Sequence, residues 1–283
     1  MSLVRSITRL IPMDLPIAGR WRDRLFDALD PLCRWTAVGD AIETPWGALR
    51  IDADHAQERL LSYAFHNVLR HYESSELGRY IRRFARQGGT FVDVGANLGM
   101  YALVARAQGL VTVVVEPDPQ HSAFLKRNEA VFGKVLAVAF SDEPGEMPLY
   151  YEEGNPGATS LFASPAYIKG EGKVPVRTFS AMAEQGEFGD ESAIRLVKID
   201  VEGFEEQAVA GMRAFLERGH RPHLWCEVRG DRSGRNGGSY RKVRAILSGL
   251  GYATRELKRG VDVPLDEAEL SRRGVFDLLF TPR

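Results

Sequence analysis

No stretch of this chain stays apolar for the ~20 residues that a bilayer-spanning helix needs. Cysteine is scarce: Cys33 and Cys226 are the two in 283 residues. They share no short spacing, which excludes a CxxC metal pair and a disulfide framework. Cys226, inside the apolar run His223–Val228, reads as a small buried hydrophobe, and the chain fits a reducing, cytoplasmic home. Neither sign of charge dominates, since 37 Lys and Arg oppose 38 Asp and Glu for a formal net charge of -1. That balance removes any global electrostatic argument for nucleic acid or an anionic membrane. Internal repeats and low-complexity tracts are absent, so solenoids and disordered linkers drop out. Met1–Leu10 carries Arg5 and Arg9 with no small-residue cleavage site after them, which argues against a signal peptide. Leu3–Leu15 has the make-up of a short basic amphipathic segment for peripheral membrane contact; a docked or frayed terminus is the plainer reading.

What is present is an ordinary globular composition, 44% hydrophobic and 27% charged, with a change of pattern near Gln87-Gly88-Gly89. Residues 1–86 read as an N-terminal cap, with helical spacing over Trp21–Leu32 and Ser75–Arg86 and a strand-like alternation over Gly47–Asp52. Residues 87–283 alternate short apolar runs with helical stretches. The expected strands are Thr90–Val94, Val111–Val115, Lys134–Phe140, Leu196–Ile199, His223–Val228 and Phe276–Phe280. The expected helices are Met100–Gln108, Ser122–Phe132, Phe204–Arg218 and Tyr240–Leu250. Near-continuous apolar strands separated by helices predict an α/β fold, a mostly parallel sheet with helices on both faces. Ligands of such sheets sit at the carboxyl ends of the strands.

Polar residues cluster at those ends. Asp93-Val94-Gly95-Ala96-Asn97-Leu98-Gly99 follows a strand and opens a helix. Its glycines permit a tight turn and a close backbone approach, and the helix start offers unpaired N–H groups. Asp93 would accept from an ammonium group, and the N–H groups from a carboxylate, which suits the methionine part of S-adenosylmethionine (SAM). A dinucleotide fingerprint would need glycine where Asn97 stands, which argues against NAD. A ligand-free turn is the competing reading. Glu116-Pro117-Asp118-Pro119 closes the next strand, with Glu116 placed to accept both hydroxyls of a ribose; a solvated acidic turn is the alternative. Ser141 and Asp142 end the third strand, where a polar side chain would meet an adenine amino group or simply form a turn before Pro144-Gly145.

Leu196-Val197-Lys198-Ile199-Asp200-Val201-Glu202-Gly203 ends the fourth strand with two carboxylates, and Glu227 ends the fifth, followed by Arg229. Lys198 inside an apolar strand is costly unless paired, so it is expected to form a buried ion pair with one of these acids. Asp200, Glu202 and Glu227 are the candidates for acid–base or acceptor-binding work, with helix capping an equal alternative for Asp200 and His121 a weaker catalytic candidate. No fixed ligand spacing calls for a metal. Converging carboxylates would nonetheless let a divalent cation activate a hydroxyl.

These blocks, in this order, together with Gly157-Ala158-Thr159-Ser160-Leu161, closely resemble the FkbM family of methyltransferases over roughly residues 70–230. The resemblance implies a Rossmann-like SAM-dependent methyltransferase fold and O-methylation of a sugar, glycolipid or polyketide-type hydroxyl. It places the cofactor at Asp93, Gly95, Asn97, Gly99 and Glu116, and the active-site edge at Asp200 and Glu202. Phe204 departs from it, since alanine is more usual after that glycine. A small-molecule or glycan acceptor is the expected partner, with no nucleic acid, because no basic stripe interleaved with aromatics is present. The competing functions are a methyltransferase acting on protein or nucleic acid, a SAM-binding module without turnover, and an oxidoreductase. The loop Tyr151–Gly172 is long enough to line an acceptor site or to be a plain insertion.

Overall fold

The structure, a computed structural model, describes residues 41–52, 54–152, 155–161, 163, 167–231 and 237–283. The helix expected over Trp21–Leu32, the segment Leu3–Leu15 and Cys33 lie outside the described residues.

The described residues begin with a hairpin, β1 (Ala41–Thr44) and β2 (Gly47–Arg50), paired antiparallel. A helix over Ala56–Ser74 follows and a second over Glu76–Phe84. One serine separates them. The Ser75 backbone is extended, with ψ 165°, which stops the first helix, and its hydroxyl accepts from the Gly78 amide to cap the second. Both helices pack against the sheet. Leu61 and Phe65 join Leu103, Val114, Phe124 and Phe132 in one apolar cluster, and Leu77, Ile81 and Phe84 join Phe91, Leu196 and Trp225 in another.

The remaining strands are β3 (Thr90–Val94), β4 (Val111–Val115), β5 (Lys134–Leu136), β6 (Ala139–Phe140), β7 (Gly145–Met147), β8 (Tyr150–Glu152), β9 (Asn155–Ser160), β10 (Tyr167–Lys169), β11 (Val174–Arg177), β12 (Ile194–Ile199), β13 (His223–Arg229), β14 (Tyr252–Lys258), β15 (Val261–Val263) and β16 (Val275–Pro282). An eight-stranded sheet runs in the order β15-β14-β16-β13-β12-β3-β4-β5. From β13 to β5 every pairing is parallel, and β16 enters antiparallel to both β13 and β14. This is the expected mostly parallel α/β sheet. Its strands are apolar on both faces because both faces are covered. On the second face Phe179, Met212, Phe215, Tyr240 and Val243 pack against Val92, Val197 and Cys226. The strand order reverses at β3/β12, where neighbouring connections leave in opposite directions and a crevice opens.

Several elements differ from expectation, each for a local reason. The third strand divides. Only β5 joins the main sheet, while β6 pairs with β11 in a small sheet with β7. The helix expected from Ser122 starts earlier, at Pro119, because Asp118 accepts from the Gln120 and His121 amides and proline suits the first turn. It breaks at Asn128, whose side chain bonds both the N–H and the carbonyl of Arg50. The helix expected over Phe204–Arg218 is two, Glu205–Ala210 and Arg213–Glu217. At the break, a Cβ on Gly211 would strike the Ser141 carbonyl. No helix among the described residues is long and apolar enough to cross a membrane.

Candidate active site

At the switch point, the turns after β3 and β12 lie against each other. Gly95 has φ 73°, and a Cβ there would run into the Asp200 carbonyl; the Asp200 amide in turn donates to the Val94 carbonyl at 3.1 Å. Gly95 is thus required by the approach of two backbones. Gly99, also at φ 73°, is required by packing, since a Cβ would collide with Phe132 and Leu125. Asn97 adopts φ 52° without being glycine. Its amide donates to Glu116 Oε2 at 2.7 Å, and the Asp118 amide donates to Oε1 at 2.9 Å. Glu116 is 3% exposed, and burial pushes its carboxyl up to about 7 despite those two amide donors.

A cavity starts at Glu116 and runs to the carboxylates after β12. Its empty space, about 630 Å³, is partly open to solvent. Gly95, Asn97, Glu116 and Pro117 form one side. Val138, Ala139 and Phe140 form an apolar wall. Leu149, Thr159, Ser160 and Leu161 close it from the β8–β9 hairpin, and Asp200, Val201, Glu202 and Phe204 form its far end. The Tyr151 side chain reaches the Asp118 carboxylate, and burial together with Asp118 raises its hydroxyl to about 12.

Four of the seven expected cofactor residues do not line the cavity: Asp93, Gly99, Ser141 and Asp142. Asp93 is 1% exposed and does not line the cavity. Its carboxylate meets Lys198 Nζ at 3.1 Å, directly across the β3–β12 register. Ser141 and Asp142 also lie off the cavity, and the Ser141 hydroxyl donates to Asp142 at 2.8 Å. The structure puts Phe140 and Val138 where those polar groups were expected. Lys198 is in a buried ion pair as expected, but its nearest partner, Asp93, is not one of the acids expected to hold it; of those, Asp200 lies at 3.5 Å. Burial opposes its charge, but Asp93 and Asp200 outweigh that and hold its ammonium group above the usual lysine range. His121 is buried beneath the first helix, its Nε2 2.5 Å from Gln57 Oε1, and it does not line the cavity.

The three acidic candidates converge. Asp200, Glu202 and Glu227 each offer a carboxylate oxygen, all within 4.8 Å of one another, close enough to share a cation. Glu202 sits at φ 54°, a conformation that non-glycine residues hold only when surroundings enforce it. Its carboxylate takes a 2.6 Å ion pair from Arg229, which is 4% exposed. Burial, then the neighbouring Asp200, Glu202, Asp277 and Glu205, push the Glu227 carboxyl up to about 9. That environment favours its protonated form. Arg229 has no role in the sequence reading, whereas Tyr151 and the β8–β9 wall fall in or beside the loop Tyr151–Gly172, which that reading leaves open between an acceptor-site lining and a plain insertion. The signal that pointed to the wall was the Gly157–Leu161 block, whose place in space only the fold reveals.

The family model for the methyltransferase FkbM domain matches residues 93–254, more than half of the chain. Among solved structures, a SAM-dependent methyltransferase from Archaeoglobus fulgidus shares 12% identity, covering 77% of this chain and 97% of that one, with a TM-score of 0.39. A magnesium protoporphyrin IX methyltransferase from Synechocystis, with bound SAM, shares 10% identity over 93% and 97%, with a TM-score of 0.37. Likenesses this distant carry no weight for function. No curated protein matches the chain.

Proposed function

The chain belongs to the FkbM methyltransferase family, and we propose that it moves the methyl group of SAM onto a hydroxyl of a sugar, glycolipid or polyketide-type small molecule. One observation carries this reading: a single cavity joins a buried carboxylate, Glu116, to the acidic end at Asp200 and Glu202. The residues present fit SAM. The buried Glu116 keeps lone pairs free beside its two amide donors and would accept from the ribose hydroxyls. Val138 and Phe140 would flank the base, and the turn at Gly95–Asn97 would take the amino-acid part. Bound SAM supplies an activated methyl group on a sulfonium; the chain positions the acceptor and keeps water out.

An acceptor hydroxyl must also lose its proton. Burial and its acidic neighbours raise the Glu227 carboxyl, so it is suited to donate a hydrogen bond to the acceptor rather than to act as base. Asp200 and Glu202, ion-paired with Lys198 and Arg229, are the carboxylates suited to take the proton. Asp200→Asn and Glu202→Gln keep shape and remove charge. One of them should lower the transfer rate by roughly 10²–10⁴ with SAM affinity changed by no more than about a few-fold. Radiolabelled SAM and a panel of glycosides and macrolactones supply the assay. Mass spectrometry of envelope glycans and glycolipids, from cells with and without the protein, finds the native acceptor as a gain of one methyl group. Near-normal rates in both variants would sink this assignment.

The convergence of the three carboxylates within 4.8 Å favours one second reading, in which they hold a divalent cation that binds the acceptor oxygen. Loss of transfer in chelator and its return with Mg²⁺ or Mn²⁺ would select it over a carboxylate base.

A further inference from the structure

The turn after β12 is fastened from several directions. The Asp200 amide bonds to β3, and the Gly203 amide donates to Glu205 Oε1 at 2.7 Å. Between them Glu202 stands at φ 54°. A side chain with a Cβ strains there, so its neighbours must hold it in place. Arg229 holds the carboxylate at 2.6 Å. The main chain is held by a residue far away in sequence: the Ser160 hydroxyl donates to the Glu202 carbonyl at 2.7 Å.

Ser160 is 2% exposed and ends β9. The next residue, Leu161, packs with Phe204 in the apolar cluster that Val201 also touches. Apolar contacts thus run alongside the hydrogen bond and fix the hydroxyl where it is. Ser160 and Glu202 both line the cavity. We propose that Ser160 is a positioning residue: its hydroxyl locks the left-handed turn that aims the Glu202 carboxylate into the end of the cavity where the cationic sulfonium of SAM is bound. This rests on the SAM reading above. Ser160 acts through Glu202, so losing its hydroxyl should disturb the charge at that end of the site and spare the adenosine end, which Glu116 controls.

SAM and S-adenosylhomocysteine (SAH) make the test, because they differ by the methyl group and the sulfonium charge. Calorimetry gives the affinity of each, with no acceptor needed. Glu202→Gln should weaken SAM relative to SAH by about 3-fold, the size of one partly screened charge interaction. Ser160→Ala should shift the ratio in the same direction, and Ser160→Ala in the Glu202→Gln background should shift it no further. Ser160→Thr and Ser160→Val, which differ in the hydroxyl, repeat the comparison with the space filled; Thr should keep the wild-type ratio and Val should lose it. If Glu202→Gln shifts the ratio while the hydroxyl-free variants weaken SAM and SAH equally, or weaken neither, Ser160 is merely structural and the inference is overturned. A Glu202→Gln variant with the wild-type ratio would instead remove Glu202 from the sulfonium, and this inference with it.

Discussion

Lys198→Met leaves a buried carboxylate without its cation. Lys198 is 4% exposed, with Nζ 3.1 Å from Asp93 and 3.5 Å from Asp200, and it donates to the Gly95 carbonyl at 2.8 Å. Methionine keeps much of the apolar stem and removes the charge. Asp93, 1% exposed, is then buried without its cation. Breaking a buried pair from one side costs about 3–5 kcal/mol, which lowers Tm by roughly 6–20 °C for a chain of this size. The pH dependence follows from the sign of the shift. Burial already raises the Asp93 carboxyl, with Lys198 pulling it back; without Lys198 it rises further. A carboxyl raised in the folded state is stabilised by its proton, so the deficit is smallest in acid. It grows as pH climbs from about 4 through the raised value. Thermal and urea unfolding from pH 4 to 8 measure it, and Lys198→Met/Asp93→Asn should recover much of the loss because no charge is left buried. A single variant that melts like wild type, or a double variant no better than the single, would refute the ion-pair argument. If activity vanished while the melt stayed unchanged, Lys198 would belong to the chemistry instead.

Glu116→Ala removes the acceptor at the buried end of the cavity and should weaken SAM binding by about 1–3 kcal/mol, read by calorimetry; unchanged affinity in a folded variant would displace the nucleoside from Glu116. Glu227, pushed up to about 9, stabilises the wild type at low pH and loses that contribution as pH rises from about 4.5 through 9. Glu227→Gln lacks this loss, so its Tm should gain on the wild type between pH 6 and pH 9, and parallel curves would contradict the raised value. A cation brought near Glu227 lowers its carboxyl. SAM binding at pH 8 should therefore release more protons than SAH binding, measured by calorimetry in buffers of different ionisation enthalpy; equal release would place the sulfonium away from Glu227.

The parts of the fold visible in the sequence are those whose burial leaves a pattern. β3, β4, β12 and β13 are apolar on both faces and carry glycine or charge at their ends, so they stand out as short unbroken runs. β14, Tyr-Ala-Thr-Arg-Glu-Leu-Lys, does not, because it lies between β15 and β16 near the sheet edge and is mostly polar. The helix Ala56–Ser74 was missed for a different reason: its first residue has no side-chain cap, so the usual start signal is absent. The splitting of two expected helices, at Asn128 and Gly211, depends on partners at Arg50 and Ser141, which no local window contains.

The site divides along the same line. Spacing after a strand identifies Glu116, Asp200 and Glu202, because strand ends are where a parallel sheet exposes polar groups. It does not say which way an acid at such an end faces. Asp93 occupies the position from which an ammonium group would be bound, yet the β3–β12 register sets it beside Lys198, 105 residues on. A lysine in that apolar strand needs a counter-charge, and the adjacent strand supplies it. The same pairing orders the chemistry. Lys198 and Arg229 are buried cations, and Asp93, Asp200 and Glu202 are the acids nearest them. Glu227 lies farther off, 3.9 Å from an Arg229 that Glu202 already holds at 2.6 Å. The three converging carboxylates thus differ in their partners: Asp200 faces Lys198, Glu202 faces Arg229, and burial among neighbouring acids raises the Glu227 carboxyl.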